Sequence, residues 1–276
     1  MRKLLLTAAL ASAVAFANAQ TMTSKNGTPI LPEAGEWSLG FDADPLLRYV
    51  GNMFNNSAGN TAFMNYPSNN TMTIVGKMVI DETTAYRGKI AINFGSHTDT
   101  KGSVGDSVLS PSEIKTSNMN VTLGAGIQKW RGQGRLKGYY GAEAMIGFGG
   151  ATDTTKTYLK AMDANTGALG DARVNEYNGG SLFGFGINGF IGVEYFFAPK
   201  ISLSAEYTWG IAISSMGESE ISYQVIEASS GGNVVNSKTT TGDKSSDFNV
   251  GVGNTVTPNI FNSGMGSGSI VLSFYF

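Results

Sequence analysis

Six ionisable side chains share an unusual setting. Lys77, Arg87, Lys89, Glu143, Glu194 and Glu206 each fall on the polar side of a segment whose alternate residues are apolar. Alternation with a period of two marks a β-strand with two unlike faces. Opposite the apolar face, these three cations and three carboxylates would share an enclosed interior. Charges removed from water persist only when paired and hydrogen-bonded, so an interior ion-pair network is expected. The same groups could form a selectivity filter or a proton path. A ring of eight strands, however, has an interior just wide enough for side chains to fill, which favours a closed plug.

Two other groupings could do chemistry. His97 lies in Gly95-Ser96-His97-Thr98-Asp99, and a histidine beside serine and an acid has the composition of a hydrolase or acyltransferase centre. The ordinary alternative is a solvated loop histidine, and no catalytic residue is assigned. Asp42 and Asp44 could attract Ca²⁺, but two carboxylates fall well short of the six to eight oxygen ligands that ion takes. No metal and no cofactor is expected.

The elements that must position these residues follow from the alternation. Eight strands are predicted, over 36–43, 71–80, 84–94, 117–130, 136–148, 181–196, 201–214 and 269–276. The links after the second, fourth and sixth are short, whereas 44–70, 95–116, 149–180 and 215–268 are long and rich in Gly, Ser, Thr, Asn and Asp. Short turns at one end and long loops at the other are the pattern of an antiparallel up-and-down transmembrane β-barrel, with the turns periplasmic and the loops extracellular. The last loop contains a candidate hairpin, 221–226 and 233–235, which would allow ten strands. Residues 44–54 read as a short helix with Asp44 as N-cap and Pro45 at its first position. Trp37, Trp130, Tyr195, Phe196, Phe197 and Phe276 map to the short-turn ends of their strands and are expected to form an interfacial aromatic girdle.

Composition agrees with this reading. The chain has 276 residues, 37 of them glycine, with 11% aromatic and only 14% charged residues, an odd mixture for a soluble enzyme. Residues 1–19 carry Arg2 and Lys3, then an apolar run, then Ala17-Asn18-Ala19, the order of a cleavable signal peptide. Residues 20–35 would then be a periplasmic N-terminal segment and 36–276 the barrel. Loss of Arg2 and Lys3 makes the mature chain more acidic than the formal net charge of −2, which argues against nucleic-acid binding. The absence of cysteine excludes both a disulfide framework and a lipid-modified N-terminal cysteine.

The segments 135–143, 192–200 and 205–210, together with the Phe274-Tyr275-Phe276 terminus, resemble the small porin-like outer-membrane barrel proteins of Bacteroidota. The resemblance spans roughly residues 36–276. It implies an outer-membrane location in a Gram-negative bacterium and brings no catalytic residues with it. The last strand also looks like an assembly signal read by the outer-membrane assembly machinery, with Phe274 and Phe276 as its aromatic residues. The function expected is non-enzymatic, structural or surface-interacting through the extracellular loops. A narrow porin or small-solute transporter is the alternative, and an outer-leaflet lipid-modifying enzyme a more distant one. Expected partners are outer-membrane lipid, the assembly machinery and an unidentified surface ligand or protein.

Overall fold

The computed structural model describes residues 23–43, 72–101, 109–165, 167–251 and 268–276. Within them the chain is all-β and antiparallel, with no helix. Its twelve strands are β1 (Trp37–Asp42), β2 (Met72–Asp81), β3 (Thr84–Thr100), β4 (Glu113–Arg131), β5 (Leu136–Thr157), β6 (Ala172–Asn178), β7 (Ser181–Ala198), β8 (Ile201–Met216), β9 (Glu220–Ser229), β10 (Gly232–Thr241), β11 (Ser245–Gly251) and β12 (Gly268–Tyr275).

Eight of these strands close a ring. Each hydrogen-bonds to the next in the order β1, β2, β3, β4, β5, β7, β8, β12, and β12 returns to β1 through the register Ser38↔Tyr275 to Asp42↔Val271. Pairing the first strand with the last satisfies backbone groups that an open sheet would leave along its edges. Trp37 and Phe276 extend this seam by exchanging two backbone hydrogen bonds, at 3.0 and 2.9 Å. The turns β2–β3, β4–β5 and β7–β8 are short and share one end, while the long connections share the other. At the last of these turns Lys200 adopts φ 59°, the left-handed conformation that lets so tight a reversal close after Pro199.

The remaining strands lie beyond the ring at the long-loop end. The hairpin expected in the last loop is β9–β10, reversing at Ser230-Gly231 with Gly232 at φ +121°. It does not enter the ring, so the ring count stays at eight. Instead β9 pairs with β6, which touches β5 at Thr154↔Tyr177 and Thr155↔Glu176. β11 takes the part of β8 that β12 leaves unpaired, running from Met216 to Gly210. Parts of the expected loops 95–116 and 149–180 are therefore strand. Once β3, β4 and β5 are in register, continued backbone pairing needs no apolar face, and polar residues such as Thr98 and Lys115 extend the ladder. The expected signal peptide 1–19 and the helix at 44–54 lie outside the described residues.

The burial pattern is the reverse of a soluble sheet protein's. Large apolar residues face outward on all eight ring strands, among them Leu39, Ile80, Ile90, Leu123, Ile146, Ile187, Ile211 and Phe274. Inward positions hold Ser38, Lys77, Arg87, Lys89, Thr122, Gln128, Glu143, Asn188, Glu194, Ser202, Glu206 and Ser273, all buried. The segment before β1 packs against the short-turn end. There Ile30, with 0% exposure, joins Val79, Ala85, Trp130, Phe196 and Tyr275 in an apolar cluster. Lys200 clamps this segment through its ammonium, bonded to the Leu31 carbonyl at 3.0 Å and the Glu36 carboxylate at 2.6 Å.

Candidate functional site

The inward side chains meet in three tiers. Nearest the short turns, Lys77 donates to both Glu194 oxygens, at 3.0 and 3.1 Å. Glu194 also accepts from the Trp130 indole at 2.8 Å, the Ser202 hydroxyl at 2.6 Å, the Tyr275 hydroxyl at 2.8 Å and Gln128 at 3.4 Å. This single carboxylate therefore gathers donors from β2, β4, β8 and β12 while standing on β7. Three rings surround the Lys77 ammonium at 5.7 to 5.8 Å, those of Trp130, Tyr139 and Tyr275. Their negative faces add cation–π attraction to the ion pair.

One level further in, Arg87 grips Glu206 through both terminal nitrogens. The planar fork matches the carboxylate, giving a bidentate pair. Tyr139 adds a hydrogen bond to Glu206 at 3.1 Å, and the guanidinium carbon sits 4.3 Å from the centre of the Phe190 ring. Phe190 owes its position to Gly141, where a β-carbon would come within 2.4 Å of that ring. In the third tier Lys89 donates to Glu143 at 3.1 Å, and Arg87 Nε lies 3.4 Å from the other Glu143 oxygen. Arg87 thus links the second and third tiers. Toward the long-loop end, Met145, Leu182 and Ala212 form an apolar cluster against Ala151 and Met216.

All six expected interior charges are in this network, two per tier with Arg87 reaching into a second, and each is buried. The reason is geometric. Every one lies on the inward face of its strand; the ring brings β2 and β3 across from β7 and β8, and Glu143 on β5 reaches Lys89 and Arg87 past the intervening β4. The sequence reading lacked the neutral partners that satisfy the carboxylates: Gln128, Trp130, Tyr139, Ser202 and Tyr275. Strand parity was the available signal, since Trp130 is two residues beyond inward Gln128 and Tyr275 two beyond inward Ser273.

Parity also corrects the expected girdle. Trp37, Tyr195, Phe197 and Phe276 face outward at the short-turn end, with Trp37 55% and Phe276 72% exposed. Trp130 and Phe196 do not belong with them: they are 2% and 0% exposed, pointing into the ring beside Glu194 and Tyr275. Position along the strand was right for both, but each is one residue out of phase with the outward face. Phe274 of the expected assembly signal also faces outward.

His97 stands on the exposed outer part of β3, opposite Thr116, whose hydroxyl donates to the His97 carbonyl at 3.4 Å. Among the described residues no serine or carboxylate hydrogen-bonds its ring. Asp42 ends β1, and Asp44 lies outside the described residues. No described helix is long and apolar enough to cross a membrane, which says nothing of strands that cross as a ring. Comparison with models of known protein families finds no match, and a search of curated proteins finds none either.

Proposed function

We propose that this chain is a non-enzymatic outer-membrane β-barrel protein whose lumen is filled by paired side chains, and which acts through the strands and loops beyond its outer rim. The observation that carries this reading is the inverted burial pattern: an apolar exterior on every ring strand around an interior of paired charges. In water so continuous an apolar surface would drive association. In lipid it is the favoured surface, and a closed ring meets the requirement that every backbone group be satisfied within the hydrocarbon layer. Strands of about 9–11 residues cross that layer. β3, β4, β5, β7 and β8 contain 16 to 22 residues each, enough to cross and to rise beyond it.

In this reading the short turns are periplasmic and the long connections, with the β6–β9–β10 sheet, are extracellular. The resemblance to Bacteroidota barrels and the signal-peptide pattern of residues 1–19 support the same location. The test is cell fractionation combined with electrophoresis of unheated and boiled protein. Recovery with the outer membrane, and faster migration when unheated, are expected. Recovery as soluble periplasmic protein would overturn the proposal. In planar bilayers the folded protein is expected to give no large, stable conductance steps, because three tiers of ion pairs and an apolar cluster occupy the interior. Such steps would favour the narrow porin instead.

A further inference from the structure

The three short turns carry very different charge. The β2–β3 turn is acidic, Asp81-Glu82-Thr83. The cation at the β7–β8 turn, Lys200, is already paired with Glu36. The β4–β5 hairpin, Lys129-Trp130-Arg131-Gly132-Gln133-Gly134-Arg135-Leu136-Lys137, has four cations and no carboxylate. Lys137 points inward and donates to the Glu82 carbonyl at 3.3 Å. Lys129 and Arg131 are exposed on the outward face, continuing the column of Leu123, Ala125 and Ile127. Arg135, half-exposed at the end of the same turn, anchors one guanidinium nitrogen on the Phe197 carbonyl of β7 at 3.4 Å. None of these three makes a salt bridge among the described residues.

Their surroundings suit an amphiphile. Tyr140 pairs across from Lys129 and is 43% exposed, and Gly138 pairs across from Arg131, leaving room where a side chain would stand. Ile127 continues the apolar wall above Lys129, and on β7 the exposed Ile191 and Val193 stand level with Tyr140 and Gly138. Three unpaired cations at the foot of a wall of exposed apolar side chains match the order of a glycerophospholipid, phosphate outward and acyl chains along the wall.

We propose that Lys129, Arg131 and Arg135 form a binding site for the phosphate of an anionic phospholipid in the periplasmic leaflet. This rests on the membrane reading above. A basic side chain at an anionic membrane surface contributes about 1 kcal/mol, roughly a fivefold preference. The attraction is electrostatic and weakens as salt is raised.

The test uses the full mature chain, folded into vesicles of phosphatidylcholine mixed with phosphatidylglycerol, then extracted gently for mass spectrometry of the bound lipid. Wild type is expected to retain phosphatidylglycerol at least about fivefold above its share of the vesicle, with the enrichment falling at high salt. A Lys129→Gln/Arg131→Gln/Arg135→Gln variant is expected to fold into the same vesicles, shown by its faster unheated migration, yet to lose the enrichment. A Lys238→Gln/Lys244→Gln variant, altered at the opposite end, should keep it. No enrichment in wild type, or equal enrichment in the triple variant, overturns the site while leaving the membrane reading intact. Failure of every form to enter vesicles overturns both. If soluble glycerol phosphate displaces the bound lipid at low concentration, the site reads free phosphate and the lipid assignment falls.

Discussion

Removing Arg87 tests the interior network most directly, because that residue joins two tiers. Its two terminal nitrogens hold Glu206, its Nε lies 3.4 Å from Glu143, and its carbon sits 4.3 Å from the Phe190 ring centre. After Arg87→Ala, Glu206 keeps only the Tyr139 hydroxyl at 3.1 Å, whereas Glu143 keeps Lys89. Stranding one buried carboxylate in this way costs about 3–5 kcal/mol. Glu206→Ala should cost less, about 2–3 kcal/mol, because the guanidinium still faces Glu143. The double variant leaves neither charge stranded, so its loss should fall short of the sum of the two by about 1–3 kcal/mol. The assay is equilibrium urea unfolding of protein folded in lipid vesicles, following tryptophan fluorescence, which Trp130 beside Glu194 should report. Single variants as stable as wild type, strictly additive losses, or a greater loss for Glu206→Ala than for Arg87→Ala would refute this account.

Ile30→Ala should lower the unfolding free energy by about 2–4 kcal/mol and speed proteolysis before β1, since Ile30 is completely buried against Val79, Trp130 and Phe196; an unchanged digestion rate would show that this segment does not seal the short-turn end. Gly141→Ala should also destabilise, because its β-carbon would come within 2.1 Å of the Ile127 carbonyl and 2.4 Å of the Phe190 ring; the urea midpoint checks it. At Asp81, hydrogen bonds from the Thr83 hydroxyl and backbone amide hold the carboxyl below its usual pKa. A folded pKa below the unfolded value near 3.9 gives stability that is present above that value and lost as pH falls through the folded one. Asp81→Ala should therefore be less stable than wild type at neutral pH, and the difference should vanish in strong acid; a pH-independent difference would contradict this.

Much of the fold was written in local pattern. The alternation around Lys77, Arg87, Glu143 and Glu206 decided which side of each strand was polar, because successive side chains on a strand leave opposite faces. The alternation of short and long links decided that the strands run antiparallel with their turns at one end. Neither depends on contacts far apart in the chain. Partnership does. That Lys77 meets Glu194, 117 residues away, depends on how many strands intervene and how the ring closes at Ser38↔Tyr275, and no local signal specifies that register. The same holds for Trp130 and Phe196, where end-of-strand position suggested the lipid face and side-chain phase placed them inside with Glu194 and Tyr275. The pairing of the expected β9–β10 hairpin with β6 was likewise decided in three dimensions, as were the excursions of β6 and β11 beyond the rim. Their polar sequences carry little period-two signal, and what makes them strands is the backbone ladder that β5 and β8 already present.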